Sequence, residues 1–510
     1  MNLKLIFLAA GTLAAGAACT MQPDYTRPEP PTPKEFRGAP ADSQELAEKH
    51  SAFLGWRNFY KDERLKRYLE IGLANNRDLR VAVLNIEKFA AQYRITRSQL
   101  MPTINIDGSY SRSRTARELS ATGREYTGNV FDAEIGLVSY EIDIWGRIRS
   151  LKDEAWEQYL QIAETERTVR STLVSSIALQ YFACELSREQ LEISEQSLEL
   201  SKQYRDLVKS QFDIGAASEL DYHQAEAQYQ SSLNATEELR ATNEQNINAF
   251  ALLLGAEVPD DSELPPPHKL SDESAVLATV PAGLPSELLA MRPDILSAEH
   301  ALLAANADIG AARAAFFPSI TLNASAGFAS TDLSDLFKGS SRTWGFSPTV
   351  NIPIFNGGRL AAELDVAKLQ REIEIANYEK AIQTAFREVS DEFAVLNTID
   401  KRVAAQEQAL ASQKRRYEIV NMSYEAGNAT SLQVILAQQD YFSAQQSVLA
   451  VHYAKIASKI SLYKALGGGW SQDDFDIEAA KAAARGEPIP PQTQPQDPVT
   501  EPATDATTEA

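Results

Sequence analysis

The sequence predicts an α+β membrane protein whose chain contains an internal duplication, and three observations support this class. The pattern TRSQLMPTINIDGS at residues 96–109 returns as ARAAFFPSITLNAS at residues 312–325, displaced by 216 positions. Two segments of 68 residues, 147–214 and 359–426, contain neither Gly nor Pro and predict very long helices. Short segments with period-two alternation of apolar and polar residues precede each of them and predict strands.

The N-terminus has the layout of a secretory signal, with one lysine, an apolar run from Leu5 to Leu13 and small residues up to Cys19. Residues 16–19, Gly-Ala-Ala-Cys, resemble the lipobox of bacterial lipoproteins, although Gly16 stands where Leu is common. We therefore expect residues 1–18 to be removed and Cys19 to carry lipid. The alternative is an ordinary cleaved signal with an incidental cysteine. Thr20 favours passage to the outer membrane.

Composition narrows the class further. No run of 18 or more apolar residues follows Cys19, so no membrane-spanning helix is expected. The formal net charge of −21 makes nucleic acid a poor candidate partner. Residues 471–510 hold nine acidic and two basic residues among Pro, Ala and Thr, which predicts a disordered tail. Residues 19–55 include a proline-rich stretch that predicts an extended tether.

The duplication extends along most of the chain. Asp78 and Asp294 are again 216 positions apart, whereas from Arg147 and Arg359 onward the offset is 212. Four extra residues of the first copy must lie between Pro102 and Arg147, where we expect a loop to hold them. Each copy reads as helix, strand, loop, strand, very long helix, short turn and helix. We assign the first repeat to residues 56–255, a linker to 256–284 and the second repeat to 285–470.

The long helices need lateral neighbours, because each could extend ~100 Å and cannot bury itself in a small core. Apolar residues spaced by seven predict a supercoiled docking seam on each helix. A solvated two-helix coiled coil is the simpler alternative. The predicted seams are Leu186, Ile193, Leu200, Leu207 and Ile214 in the first copy, and Leu396, Val403, Leu410, Tyr417 and Tyr424 in the second.

Each long helix is expected to end at a glycine followed by a capping box. Gly215 precedes Ser218 and its partner Asp221, and Gly427 precedes Thr430 and its partner Gln433. The chain then reverses into second helices, at residues 218–254 and 430–466. Both copies therefore form antiparallel hairpins with tight tips.

The strands have one apolar and one polar face, which is typical of transmembrane β-strands and also of a soluble sandwich. Two hairpins give four strands per chain, whereas membrane barrels start at about eight and tolerate no open edge. Copies would therefore share one barrel, with eight strands from two chains or twelve and a lumen from three. The apolar faces are Ile104, Ile106 and Tyr110; Ile320, Leu322, Ala324, Ala326 and Phe328; and Trp344, Phe346, Val350, Ile352 and Ile354, with a less regular strand from about 131 to 144.

Four motifs carry a family resemblance: YEIDIWGRIR at 140–149, MRPDILSAEHALLAANADIGAARAAFFPSITL at 291–322, NIPIFNGGR at 351–359 and SLYKALGGGW at 461–470. They closely resemble the outer-membrane efflux protein family, the TolC-like channels, and within it the lipid-anchored OprM/NodT-type branch. The resemblance implies a homotrimer with a twelve-stranded β-barrel in the outer membrane, continued by a long α-helical barrel in the periplasm. It also implies two further partners, a periplasmic adaptor (membrane fusion) protein and an inner-membrane transporter of the RND type.

The resemblance places a pore gate at the periplasmic hairpin tips, residues 212–221 and 417–430, which untwist when the adaptor docks. Threefold repetition would turn one acidic side chain into a ring, which repels anions and admits cations. Asp213 and Glu425 are the first candidates, because each precedes its turn glycine by two residues. The alternative is that these are solvated helix-end charges. The full candidate set for the gate is Asp213, Glu219, Asp221, Glu418, Tyr424 and Glu425.

Adaptor docking is expected at the turns themselves, at Gly215, Ala216, Gly427 and Asn428. The contacts that hold the closed tips together, called the lock below, depart from the family pattern at two places. Many relatives carry Arg where Gln211 and Ser423 stand, and some carry an acidic residue at the position of Ala429. We expect the lock to use different residue pairs here.

An enzyme is not expected, and neither is a metal or a cofactor. Five histidines are scattered without metal-ligand spacing, and there is no nucleophile elbow. The glycines at 467–469 follow a helix, which indicates a helix stop rather than a phosphate-binding loop. The remaining rival is a lipid-anchored periplasmic coiled-coil protein, structural or adaptor-like. Such a protein would become soluble after Cys19→Ala.

Overall fold

The computed structural model describes residues 20–33, 36, 55–121, 123–260, 264–278 and 292–468. Residues 1–18, Cys19 and the tail 471–510 lie outside the described residues. None of the described helices combines the length and the apolar character needed to cross a lipid bilayer. In chain order the elements are α1 Trp56–Phe59, α2 Glu63–Asn75, α3 Arg77–Ser98, β1 Ile104–Thr115, β2 Tyr126–Glu141, α4 Arg147–Asp213, α5 Glu219–Leu254, α6 Glu273–Val276, α7 Pro293–Ala314, β3 Ser319–Ser330, β4 Arg342–Asn351, α8 Arg359–Glu425 and α9 Ser431–Ala465.

The strands form one antiparallel sheet in the order β1-β2-β3-β4. Its register aligns the apolar residues of all four strands, so that Ile106 stands opposite Ile135, Ile135 opposite Ala326, and Ala326 opposite Trp344. Side chains alternate along a strand, and the other face is therefore polar, as at the pair of Asp107 with Glu134. The predicted alternation is confirmed. β1 and β4 are the two open edges of the sheet.

The predicted end of the last strand was wrong. β4 ends at Asn351, which pairs with Ser319, the first residue of β3. Ile352 and Ile354 therefore extend past the point where this chain offers a partner strand. Both side chains are exposed.

The four extra residues of the first copy do not all lie in a loop. Ile104 pairs with Leu137 while its counterpart Ile320 pairs with Val350, so the offset between these partner residues is 213 and the connecting loop holds three of the four. The fourth extra residue is Ser139, in a β-bulge between Leu137 and Tyr140.

The bulge has a local cause that the sequence did not reveal. Ser139 has a positive φ of 51°, which is uncommon for a residue with a side chain. Its backbone N–H donates to Oδ1 of Asn323 at 2.7 Å, so the bulged residue keeps a hydrogen-bond partner. The extra residue also explains the less regular phase predicted for this strand.

The long helices organise a layer four helices wide. In the half next to the sheet, α4 and α8 pack against α7 between them, and α3 flanks α4. In the distal half, α9 lies between α4 and α8, and α5 flanks α4. The two Gly- and Pro-free segments are thus single helices of 67 residues each, as predicted.

The shorter helices meet end to end at the middle of the layer. Nδ2 of Asn76, the N-cap of α3, donates to the carbonyl of Leu253 near the end of α5 at 2.9 Å. In the second copy Nη1 of Arg292, the N-cap of α7, donates to the carbonyl of Ala465, the last residue of α9, at 2.6 Å. These bonds satisfy carbonyl groups that a helix end leaves without partners.

Leu186 of the docking seam predicted on α4 packs on the main apolar core, but further along the helix the prediction was wrong by one residue. The buried positions are Ser187, Ser194, Ser201 and Val208, whereas Leu200 is 40% and Leu207 50% exposed. Serine hydroxyls bridge α4 to α5, with Ser194 Oγ 2.9 Å from the Thr236 hydroxyl. Small side chains let two helix backbones approach closely. The size of the α4 side chains, rather than their hydrophobicity, therefore determines which of them face α5.

In the second copy the predicted heptads do face neighbouring helices. Leu396 packs on a buried cluster that joins α7, α8 and α9. Tyr417 stacks on Tyr441 of α9, with ring centroids 5.8 Å apart.

The largest apolar core lies around the helix junctions. It combines residues of α1, α2, α4, α5 and α9, and it includes Phe59 stacked on Tyr463 at 3.9 Å between ring centroids. The linker between the repeats closes this core, since Tyr60 forms an isolated antiparallel bridge with Leu277. Lys455 Nζ of α9 holds the same linker through Glu273, at 2.8 Å.

The proline-rich tether lies along α7. The carbonyl of Met21 accepts a hydrogen bond of 3.2 Å from Arg313, near the end of α7 that leads into β3. Tyr25 donates to Glu299 at 3.0 Å, about four turns back along the same helix. Phe36 is buried beyond it. The tether therefore runs away from the sheet.

Candidate functional site at the hairpin tips

Both tips are built by the same backbone geometry. Gly215 and Gly427 have φ angles of 77° and 75°, in the left-handed region that favours glycine. The N–H of Ala216 donates to the carbonyl of Gln211 at 2.7 Å, and that of Asn428 to Ser423 at 2.8 Å. These bonds close each helix end in a Schellman arrangement and expose the four predicted docking residues at the turn.

The predicted capping boxes are both present. The Ser218 hydroxyl accepts from the N–H of Asp221 at 3.1 Å, and the Asp221 carboxylate accepts in return from Ser218 N at 3.3 Å. Thr430 and Gln433 repeat this exchange in the second copy. The Asp221 carboxylate thus caps α5, which is a structural role in addition to the predicted one in the gate.

The other acidic candidates differ in their partners. Asp213 lies 3.5 Å from Nζ of Lys209. Glu418 lies 3.1 Å from Arg415 Nη1, and Glu219 lies 3.8 Å from the His223 ring. Glu425, at the end of α8, accepts a hydrogen bond of 3.0 Å from the amide of Asn421. Among the described residues, Glu425 is therefore held by an amide rather than by a cation.

The two tips end at different levels. The ring of Tyr424 lies 5.9 Å from that of Tyr204 on α4, and the Tyr204 hydroxyl donates to Ser431 Oγ at 2.7 Å. Tyr204 precedes Asp213 by nine residues, or about 13 Å along the axis of α4. The structure therefore places Asp213 and Glu425 at separate levels, and it does not bring the two leading candidates together.

Aromatic contacts that sequence reasoning missed hold the first hairpin together near its tip. Phe212 stacks on Tyr222, with ring centroids 5.6 Å apart, and the Arg205 guanidinium lies 4.3 Å from the centre of the Tyr229 ring. Their separation along the sequence gave no signal, because the pairs depend on how the two helices of a hairpin are aligned.

The second tip is the less firmly packed of the two. Ile399 is the last buried residue of α8 within the described chain, and more than 20 residues of that helix follow it. Its distal half packs mainly on α9 and reaches α4 through the contact of Tyr424 with Tyr204, whereas α9 itself packs on α4 and buries Val434 and Gln438. The end of α8 is therefore held by fewer buried side chains than the start of α9.

A sheet with one apolar face, continued by helical hairpins that end in polar, acidic tips, defines a subunit of a membrane conduit. Comparison with known proteins agrees with this class. The chain belongs to the outer membrane efflux protein family, whose model matches residues 69–256 and 284–468. The expected fold class, with four strands per chain and a long helical part, is confirmed. Members of this family are channels rather than enzymes.

The relatives share nearly the whole chain. The probable efflux pump outer membrane protein TtgC of Pseudomonas putida is 40% identical over 471 residues, covering 92% of this chain and 96% of the relative. The cation efflux system protein CusC of Escherichia coli is 38% identical over 454 residues, covering 89% and 96%. The open state of the MtrE outer membrane channel of Neisseria gonorrhoeae superposes with a TM-score of 0.78 at 32% identity, covering 90% and 100%.

Proposed function

We propose that the protein is the outer-membrane channel of a tripartite efflux system. It works as a passive conduit for small molecules that an inner-membrane pump of the RND type delivers through a periplasmic adaptor. Membership in the efflux family supports this role, together with the names of the relatives. CusC is described as part of a cation efflux system, whereas the name of TtgC states no substrate, so these names assign no substrate class to this chain.

The observation that carries the proposal is that both side edges of the chain lack a partner, in the sheet as well as in the helix layer. β1 and β4 are unpaired sheet edges, and an unpaired edge is not tolerated in hydrocarbon. The helix layer has matching apolar edges, with exposed Val81 and Leu84 on α3 at one side and Val366 and Leu369 on α8 at the other. Side-by-side copies would cover all four elements at once.

We infer that three copies close the ring. Four strands per chain then give twelve, which leaves room for a lumen lined by the polar face of the sheet. The apolar face, including Ile106, Ile135 and Trp344, would contact lipid. The helices would continue the conduit into the periplasm.

Lipidation of Cys19 fits the same arrangement. Met21, two residues further along the chain, lies beside Arg313, at the end of α7 that leads into β3. The first described residues of the tether therefore lie at the level where the strands begin, as a lipid anchor in the same membrane would require. The tether that follows is bonded to α7, so the lipid would anchor the helical part as well.

Gating is proposed at the tips. Loss of the contacts of Tyr204 with Tyr424 and Ser431 would free the end of α8 to move outward when an adaptor docks at the turns around Gly215 and Gly427. Asp213 and Glu425 would form two carboxylate rings at different levels of the pore. Either ring would disfavour anions.

The test is the native mass of protein extracted from outer membranes in mild detergent, with the lipid mass on Cys19 read in the same experiment. A lipidated trimer is expected. A monomer or dimer that persists across several detergents would contradict the conduit, and a Cys19→Ala variant that becomes soluble would favour a lipid-anchored coiled-coil protein instead.

A further inference from the structure

Because the chain is duplicated, the pairing of two strands within one chain predicts how strands of neighbouring chains would pair. Within a chain, β2 of the first repeat pairs with β3 of the second. In a closed ring, β4 of the second repeat would meet β1 of the partner subunit, which is the same junction with the repeats exchanged. We propose that this junction forms in the register fixed by the duplication, with Ser347 opposite Ser111 of the partner subunit. This inference rests on the proposed function, because it presupposes a ring of copies.

The equivalence of the strands can be read residue by residue. β1 corresponds to β3 with an offset of 216, as Ile104 and Ile320 show. β2 corresponds to β4 with an offset of 213 before the bulge, as Leu137 and Val350 show, since they pair with those two isoleucines. Past the bulge the offset is 212, because Ser139 has no counterpart in β4.

Transferring the observed pairs gives one continuous register. Before the bulge, the pair Leu137 with Ala324 maps onto Val350 with Gly108 of the partner subunit. Past the bulge, the pair Tyr140 with Leu322 maps onto Ile352 with Ile106 of the partner subunit. From Val350 to Ile352 and from Gly108 to Ile106 the step is two residues on both strands. The new junction therefore needs no bulge, which is the expected consequence of lacking Ser139.

At the end of the junction nearest the helices, the transferred register places side chains of the same polarity opposite each other. Ile352 and Ile354, 59% and 92% exposed in the single chain, would face Ile106 and Ile104 of the partner subunit, whose side chains are 83% and 64% exposed. The polar face continues as well, with Thr349 opposite Ser109 of the partner subunit. A slip of one residue would place apolar side chains opposite the polar face.

The continuation beyond β4 also explains the misjudged strand end. The observed bond from Ile142 N to the carbonyl of Ile320 is 2.8 Å long. Its counterpart would run from Ile354 N to the carbonyl of Ile104 of the partner subunit. The sequence pattern that predicted a strand as far as Ile354 would then be correct in the assembled ring, although the isolated chain pairs β4 only to Asn351.

Disulfide formation between engineered cysteines tests this register. We would oxidise outer membranes that contain S111C/S347C with copper phenanthroline, and separate the protein on non-reducing gels. Directly opposed residues have Cβ atoms about 4.5–5.5 Å apart, whereas a two-residue shift gives about 7–8 Å. Disulfides require about 3.5–4.5 Å, so only the opposed pair should bond efficiently.

The controls separate register from proximity. S109C/S347C and S113C/S347C keep the same face but shift the register by two residues, and each single-cysteine variant reports background. S109C/T349C is a second opposed pair, which guards against local misfolding. All variants carry C184S, although Cys184 is half-buried and burial raises the pKa of its thiol to about 12.

We expect both opposed pairs to yield reducible dimers and trimers, at several times the amount from the shifted pairs. Stronger bonding in a shifted pair would overturn the register. No bonding in either opposed pair, with the native mass still that of a trimer, would also overturn it and leave the proposed function standing. A native mass below a trimer would overturn both.

Discussion

The hydroxyl of Tyr204 on α4 donates a hydrogen bond of 2.7 Å to Oγ of Ser431, the first residue of α9. This bond joins the first repeat to the start of the second hairpin, beside the contact of Tyr204 with Tyr424. Burial raises the pKa of Tyr204 well above its usual range. The hydroxyl therefore remains a donor at any physiological pH, and the connection does not depend on acidity.

Removing this hydroxyl should loosen the second tip. A neutral hydrogen bond contributes about 1 kcal/mol, so Tyr204→Phe should shift the balance of closed and open tips roughly fivefold toward open. Planar-bilayer recording of open probability would measure the change. Tyr222→Phe is the control, because the ring of Tyr222 stacks on Phe212 and that stacking needs no hydroxyl. Equal open probabilities in all three proteins would contradict a role in the lock.

The acidic tips should make the pore cation-selective. Asp213→Ala and Glu425→Ala should each lower the cation-to-anion permeability ratio, and the double variant should lower it further, because the two carboxylates lie at different levels. Reversal potentials in a salt gradient give this ratio. Glu244→Ala, an exposed carboxylate on α5 far from both tips, should leave it unchanged. Unchanged conductance and selectivity in both single variants and the double variant would remove the acidic rings from the mechanism.

Substitutions at the turns can test adaptor docking without straining the backbone. A Cβ at Gly215 or Gly427 meets nothing within 4 Å in this chain, and Asn tolerates a positive φ. Gly215→Asn and Gly427→Asn should therefore fold normally but reduce adaptor cross-linking several-fold. Gly123→Asn is the matched control, since Gly123 has a φ of 63° and open space at the opposite end of the molecule. Intact cross-linking in both tip variants would exclude these glycines from the docking surface.

One carboxyl of α4 should make stability depend on pH. Burial, then the nearby Asp308 carboxyl, raises the pKa of Glu154 from its ordinary 4.5 to about 7. The folded protein binds this proton more tightly than the unfolded chain. The contribution of the protonated Glu154 carboxyl to the free energy of unfolding is therefore present in full below the ordinary pKa of the side chain. It is lost as the pH rises through about 7.

Glu154→Gln should accordingly stabilise the protein at pH ~8 and have little effect at pH ~4. We expect about 1 to 2 kcal/mol, because partial exposure reduces the full effect of the shift. Thermal unfolding followed by circular dichroism at both pH values would measure it. Glu157→Gln is the control, since the Glu157 carboxylate lies 2.7 Å from the His300 ring and its removal should not stabilise. A variant no more stable than the native protein at the higher pH would count against the prediction.

The end-to-end helix junctions should be important for stability. The Arg292 side chain is 8% exposed and also pairs with Asp294 at 2.7 Å and Glu388 at 3.0 Å. Arg292→Met should destabilise by about 2 to 3 kcal/mol, because partly buried carboxylates lose their cation. Asn76→Ala should lose about 1 to 2 kcal/mol through its cap and its bond to Leu253.

Apparent Tm values in detergent would rank these variants. Arg387→Met is the matched control, because Arg387 is exposed and lies 3.9 Å from Asp391, so its removal should change stability by no more than about 0.5 kcal/mol. A similar Tm for Arg292→Met and Arg387→Met would mean that the junction contributes little.

Local patterns predicted the elements well where one physical signal dominated. The absence of Gly and Pro defined α4 and α8, and Gly215 and Gly427 with their capping boxes defined the tips, because helix formation and termination depend on neighbouring residues. Period-two alternation defined the faces of the sheet for the same reason.

Errors arose where two elements must fit each other. The seam of α4 uses Ser194 and Ser201 rather than Leu200 and Leu207, because the close approach of α5 favours small side chains that can bond across it. Ser139 could not be located from the repeat offset alone, since an extra residue in a bulge and one in a loop change the numbering equally.

The sequence by itself determined the duplicated order of strands and long helices, the polarity of each strand face and the turns at the tips, because each follows from backbone preferences within a short segment. Only the tertiary structure decided the level of one tip against the other, the residues of the helix seam and the position of the bulge. Those features depend on how helices and strands distant in sequence align along their axes, and a contact such as that of Tyr204 with Ser431 leaves no pattern in either segment alone.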